Sequence, residues 1–164
     1  MTEILIISAT SNNNLALAKK IQENLTLSSK IIDIEELNLP LFTTKEAKSN
    51  GVPQEILDIA KQMIPTKAFI FVAPEYNGLT PPTLSNFIAW LSKVGDDFRE
   101  VFNTKHIALA THSGGLAPKL MMAMRMQFTH LGANLIGREI ITSYQKELNI
   151  QAVKDIEKEF KKIC

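Results

Sequence analysis

The chain has 164 residues, 45% hydrophobic and 21% charged, with 18 basic and 17 acidic side chains for a net charge of +1. This suits one globular domain over residues 1–164, shows no sign of disorder, and gives no electrostatic reason to expect nucleic acid or an anionic membrane as partner. The longest apolar run, residues 68–73, is far too short to cross a bilayer, Met1-Thr2-Glu3 opens no secretion signal, and the one cysteine, Cys164, can close no internal disulfide, which together fit a cytoplasmic protein.

Glu3 to Ile7 is short, apolar and β-branched, the pattern of a buried strand. Asn13 to Leu27 follows as a helix, with Leu17, Ile21 and Leu25 four apart. Lys30 to Ile34 is a second strand, and residues 35–52 form the longest irregular stretch. Pro53 to Ile64 is a second helix, with Pro53 in its first turn and Pro65 ending it. A strand over 67–73 and a helix over about 82–94 come next, then a strand from Lys105 to Ala110. The helix from Leu116 to Leu131 stops at Gly132; a fifth strand lies within Ala133 to Ile141, and a last helix spans Ile150 to Ile163. Apolar strands alternating five times with amphipathic helices predict an α/β fold, a parallel sheet covered on both faces and doubly wound.

In such a sheet, ligands sit at the carboxyl ends of the strands. Three loops leave those ends near the centre. Ser8 to Asn14, with Ser8, Thr10, Ser11 and Asn14, leads into a helix and offers hydroxyls, amides and helix N–H groups. It lacks GxGxxG and GxxxxGK[ST], so it suits a single terminal phosphate; the same residue types also serve as plain helix caps. Pro74-Glu75-Tyr76-Asn77-Gly78, bracketed by Pro81-Pro82, is stiff. Asn77-Gly78 permits a tight turn, and Tyr76 can lay an aromatic surface beside a flat heterocycle. Thr111-His112-Ser113-Gly114-Gly115 lets backbone approach a ligand closely or simply turns the chain. His112 has no nucleophile or metal-type spacing around it. On the fourth helix, Leu116, Leu120, Ala123, Met124, Phe128 and Leu131 make a core stripe. Met122 and Met126 are left on another face, for a subunit contact or burial under a loop.

Pro74 to Gly78, followed by a proline, Leu84, Asn86 and Trp90-Leu91-Ser92, resembles the NADPH-dependent FMN reductase family, the flavodoxin-like group that includes quinone, azo-dye and chromate reductases. Asn38-Leu39-Pro40-Leu41-Phe42, Ser113-Gly114-Gly115 and Leu131-Gly132-Ala133 agree with that family in order. The resemblance implies a flavodoxin-like sheet of order 2-1-3-4-5 in three α/β/α layers, non-covalent FMN, NADPH or NADH as co-substrate, and a homodimer or homotetramer. It assigns the phosphate to Ser8, Thr10, Ser11 and Asn14, and the flavin ring to Pro74, Glu75, Tyr76, Asn77, Gly78, Ser113, Gly114 and Gly115. The first loop departs from the family pattern: Ile7 and Thr10 stand where the family carries a glycine and an arginine. The implied activity is hydride transfer from nicotinamide to FMN and on to a quinone, azo compound or similar acceptor, with no catalytic side chain and no metal needed. Two other readings of the fold are a flavodoxin-type electron carrier, against which the near-zero charge counts, and a flavin-free interaction module.

Overall fold

The computed structural model of the protein describes residues 3–164; Met1 and Thr2, which open the N-terminal segment read above, lie outside the described residues. The five apolar runs become strands β1 (Ile4–Ser8), β2 (Ser29–Asp33), β3 (Ala68–Val72), β4 (His106–His112) and β5 (Asn134–Thr142). They form one parallel sheet in the order β2-β1-β3-β4-β5. Six helices connect and cover them: α1 (Asn13–Glu23), α2 (Thr44–Asn50), α3 (Gln54–Met63), α4 (Pro82–Leu91), α5 (Pro118–His130) and α6 (Ile150–Phe160). This is the doubly wound sheet that the alternation predicts, in the flavodoxin-like order that the family resemblance implies.

Strand residues point alternately to opposite faces, so one sequence feeds two cores. Ile4, Ile6, Ile70, Val72, Ala108 and Ala110 pack with α1 and α6 through Leu17, Ile21, Val153, Ile156 and Phe160. Leu5, Ile7, Phe69, Phe71, Ile107 and Leu109 pack instead with α3, α4 and α5 through Ile56, Phe87, Trp90, Leu120 and Phe128. Phe71 anchors this second core, its ring centroid 4.4 Å from that of Phe128 and 6.2 Å from that of Phe102. β1 and β3 are buried throughout, whereas the edge strands β2 and β5 are mostly half-buried or open.

Several boundaries differ from the sequence expectation. α1 ends at Glu23, not Leu27. The backbone N–H groups of Thr26 and Leu27 donate to the Glu157 carboxylate of α6, at 2.5 and 2.8 Å, and so leave the helix ladder. Pro53 sits at the N-cap of α3, before its first turn. The stretch 35–52 holds α2, which has no buried residue and therefore no apolar periodicity. Its signal lies in Thr43, whose hydroxyl accepts from the Glu46 N–H at 2.9 Å. α5 starts at Pro118, after Ala117 in a left-handed conformation with φ of 48°. Leu116 consequently leaves the expected core stripe and is 62% exposed, while Met121 is buried.

Candidate functional site

The strand order brings the carboxyl ends of β1, β3 and β4 side by side, as the topological rule requires. Backbone bonds lock the three loops to the sheet: the Ala9 N–H donates to Val72 O at 2.8 Å, Ala73 N–H to Ala110 O at 3.1 Å, and Ser113 N–H to Thr142 O at 3.2 Å. A cavity of about 280 Å³ opens between them.

At one end of that cavity lie Thr10, Asn12, Asn13 and Asn14. The side chain of Asn12, at the N-cap of α1, accepts no capping bond, and the first turn carries no acid. The Asn12 side chain therefore does not cap α1, and an uncapped helix start is the kind of place where an anion can bind. The predicted residues divide here. Thr10 and Asn14 line the cavity, and both are buried. Asn14 also ties α1 to β4, its Nδ2 donating to His112 O at 3.0 Å while its Oδ1 accepts from the His112 N–H at 2.8 Å. Ser8 lies beneath the loop, fully buried, its hydroxyl donating to Thr10 O at 2.8 Å. Ser11 turns outward, its N–H donating to Glu35 Oε2 at 2.5 Å and its hydroxyl to Glu36 Oε1 at 3.4 Å. Neither serine lines the cavity. No lysine or arginine among the described residues lines it either.

The other end is formed by Pro74, Glu75, Tyr76, Ser113 and Gly114. Tyr76 and Leu79 exchange two backbone bonds of 3.0 Å around Asn77 (φ 53°) and Gly78 (φ 82°), the two-residue turn that an Asn-Gly pair favours. Asn77 and Gly78 thus shape the loop without lining the cavity, and Gly115 lies outside it too. The Glu75 N–H donates to Ser113 Oγ at 2.8 Å, and its carboxylate accepts from the Leu120 N–H at 3.5 Å near the start of α5. Glu75 therefore joins the β3 and β4 loops. At Gly114 an added Cβ would meet nothing within 4 Å, so space is open above the backbone there.

Three lining residues, Asn13, His112 and Tyr144, fall outside the predicted set, as does Asn12. His112 ends β4, just before its glycine-bearing loop, whereas Tyr144 comes from the loop after β5 and only the fold brings it here. Its ring stands edge-on to His112, centroids 5.2 Å apart. A second cavity of about 390 Å³ adjoins the first, shares Asn13 and His112 with it, and is flanked by Lys20 and Lys146. Among the described residues no group of three or more His, Cys, Asp or Glu side chains gathers as a metal site, and no helix is long and apolar enough to cross a membrane.

Two of the stretches that carry the resemblance touch one another. Asn86 of α4 accepts from the Phe42 N–H at 2.7 Å and donates to Pro40 O at 3.0 Å. Trp90 Nε1 donates to the same Pro40 oxygen at 2.7 Å, with Phe42 edge-on at 5.1 Å. The segment before α2 is thereby pinned beside the helix that leaves the Pro74–Gly78 loop.

An uncapped helix start, a stiff loop and an aromatic flank thus meet in one cleft. The family described as NADPH-dependent FMN reductase matches residues 2–147. The chain is 22% identical over 163 residues to the uncharacterized protein MG342 homolog of Mycoplasma pneumoniae, covering 94% of this chain and 95% of that protein. In structure it is similar to FerB of Paracoccus denitrificans, a flavoenzyme NAD(P)H:(acceptor) oxidoreductase, with a TM-score of 0.75 at 15% identity over 99% of this chain and 94% of that one. It is also similar to an FMN-dependent NADH-azoreductase from Bacillus anthracis in complex with FMN, with a TM-score of 0.65 at 14% identity over 98% of both chains. A match that runs through all three loops of the cleft, from β1 to the loop after β5, shows that the chain belongs to the NADPH-dependent FMN reductase family.

Proposed function

We propose that the protein, as one domain over residues 1–164, holds FMN in the 280 Å³ cleft and passes hydride from NADPH or NADH to a quinone, azo compound or similar small acceptor. The observation that carries this is the uncapped start of α1 facing the same cleft as the rigid Pro74–Gly78 loop. When bound, FMN supplies the two-electron chemistry, so the chain's own task is to bind, orient and shield.

The N–H groups at the start of α1, with Thr10, suit the phosphate; they act through the helix dipole and hydrogen bonds without a cationic side chain. The Pro74–Gly78 loop and Ser113–Gly114 suit the ring. Held to the sheet and to each other through Glu75 and Ser113, their backbone groups keep fixed directions, and fixed donors stabilise developing negative charge better than mobile ones do. Tyr76 flanks the cleft with half its surface open, leaving room for a second flat molecule to enter beside it. Met122 and Met126, 63% and 69% exposed on the outer face of α5, support a homodimer or homotetramer.

The test is a visible absorption spectrum of the purified protein with added FMN, then with NADPH and a quinone. The expected result is a yellow protein that bleaches with NADPH and recovers as the quinone is consumed. A protein that takes up no FMN contradicts the reading. One that binds FMN but neither bleaches nor turns over points to an electron carrier.

A further inference from the structure

The proton positions on His112 follow from its neighbours. Its Nδ1 lies 3.0 Å from Thr142 Oγ1. That hydroxyl has one proton, which it donates to Thr111 O at 3.0 Å, an oxygen that can only accept. This favours the tautomer with the hydrogen on Nδ1 and the lone pair on Nε2. Nε2 is buried and has no hydrogen-bond partner among the described residues, a costly state for an acceptor. His112 lines the cleft, its backbone bonded to Asn14 of the first loop and its neighbour Ser113 bonded to Glu75 of the β3 loop, so it connects the two groups of lining residues. What stands against its ring is Tyr144, 80% exposed, whose hydroxyl takes a 3.3 Å bond from Asn13.

We propose that His112 Nε2 accepts a hydrogen bond from a hydroxyl of the polyol chain of the flavin, and that the Tyr144 ring is a cover that swings aside to admit it. This rests on the FMN reading above. The polyol joins ring to phosphate, as His112 and Ser113 join the loop of Asn14 to the loop of Glu75, so a flavin held by both loops would bring its polyol to His112. A bare lone pair rejects a phosphate dianion, which has no proton to donate, and welcomes a hydroxyl.

His112→Asn keeps an N–H close to the position of Nδ1 for Thr142 and removes Nε2. His112→Gln restores an amide oxygen near the position of Nε2. The experiment titrates wild type and both variants with FMN, riboflavin and lumiflavin, which has no polyol, by flavin fluorescence. The expected result is roughly tenfold weaker binding of FMN and of riboflavin by H112N, unchanged lumiflavin binding, and recovery in H112Q. Equal loss for all three ligands, loss for FMN alone, no loss, or no recovery in H112Q overturns the proposal. In the wild-type protein, imidazole ¹⁵N shifts report the Nδ1–H tautomer directly. The Nε2 signal is expected to move with riboflavin and stay with lumiflavin; a signal indifferent to riboflavin overturns the proposal even if both variants fail to fold. Wild type that binds no flavin overturns the FMN reading itself, whereas wild type that binds flavin with Nε2 unaffected overturns only the role of His112.

Discussion

At the scale of single residues, the cleft separates side chains that face a ligand from those that shape the loops. Tyr76 faces outward with 49% of its surface open, so its aromatic area is available to a flat ring. Tyr76→Ala is expected to weaken FMN binding by about 1–2 kcal/mol through lost aromatic contact, measured by fluorescence titration; unchanged affinity rules out that contact. Two glycines make a sharper contrast. Gly114 lines the cleft and has open space where a Cβ would stand. Gly132, at φ +85°, would place a Cβ 2.5 Å from Asn103 Oδ1. Gly114→Val is expected to cost FMN affinity roughly tenfold, about 1.4 kcal/mol, with the melting temperature unchanged. Gly132→Ala is expected to lower the melting temperature and leave FMN affinity alone, because its strain lies in the turn before β5. Parallel melting curves and titrations of both variants check the pair, and a Gly114→Val protein that melts early contradicts the assignment.

At the scale of elements, Glu157 shows how one side chain sets the boundary of a distant helix. It lies on α6, and its carboxylate accepts from the N–H groups of Thr26 and Leu27, the Thr26 hydroxyl and Lys161. Burial by itself would raise its pKa; the backbone bonds from Leu27 and Thr26, then the side-chain bonds, outweigh burial and hold it below the ordinary glutamate value. A depressed carboxyl stabilises the fold fully above its unfolded-state pKa, roughly 4.3, and loses that contribution as pH falls through the lower folded value. Glu157→Gln is therefore expected to destabilise the protein by about 2 kcal/mol at neutral pH, with the difference from wild type shrinking below about pH 4. Urea unfolding at several pH values measures this, and a constant difference across the acid range contradicts it. The same contact explains why the end of α1 was illegible in the sequence: nothing near Leu27 announces an acceptor that lies 130 residues away. The inner strands were legible because burial on both faces demands unbroken apolar runs. α2 was not, because a helix with no buried face leaves no periodicity, only the Thr43–Glu46 cap. In the cleft, Asn77-Gly78 carried its turn in its own chemistry. Tyr144 carried no local sign of its place, which depends on the register of β5 against β4.

At the scale of the whole molecule, the two cores close both faces of the sheet but leave the outer side of α5 uncovered. Arg125 ties that helix to the edge strand, donating to Glu139 Oε1 at 2.7 Å and reaching the carbonyls of Ile136 and Gly137 at 3.4 Å. These carbonyls belong to the stretch where β5 carries extra residues against β4, between the Ile107 and Leu109 pairings. A bulged, ion-paired edge at β5 resists strand-to-strand association on that side, so the face beside it would meet a second copy through helix packing. Met122 and Met126, one turn apart beside this bridge, offer the flexible apolar surface for it. Burying both would stabilise an interface by a few kcal/mol, at about 1.5–3 kcal/mol per side chain before association entropy is subtracted. The double variant Met122→Lys, Met126→Glu places opposite charges one turn apart on the same helix, so the isolated fold should tolerate it. If the proposed homo-oligomer forms through these methionines, the variant is expected to sediment as a monomer in analytical ultracentrifugation at concentrations where wild type sediments as a larger species, with an unchanged circular dichroism spectrum. Equal sedimentation of the two proteins would mean that the exposed methionines of α5 are not the contact between subunits.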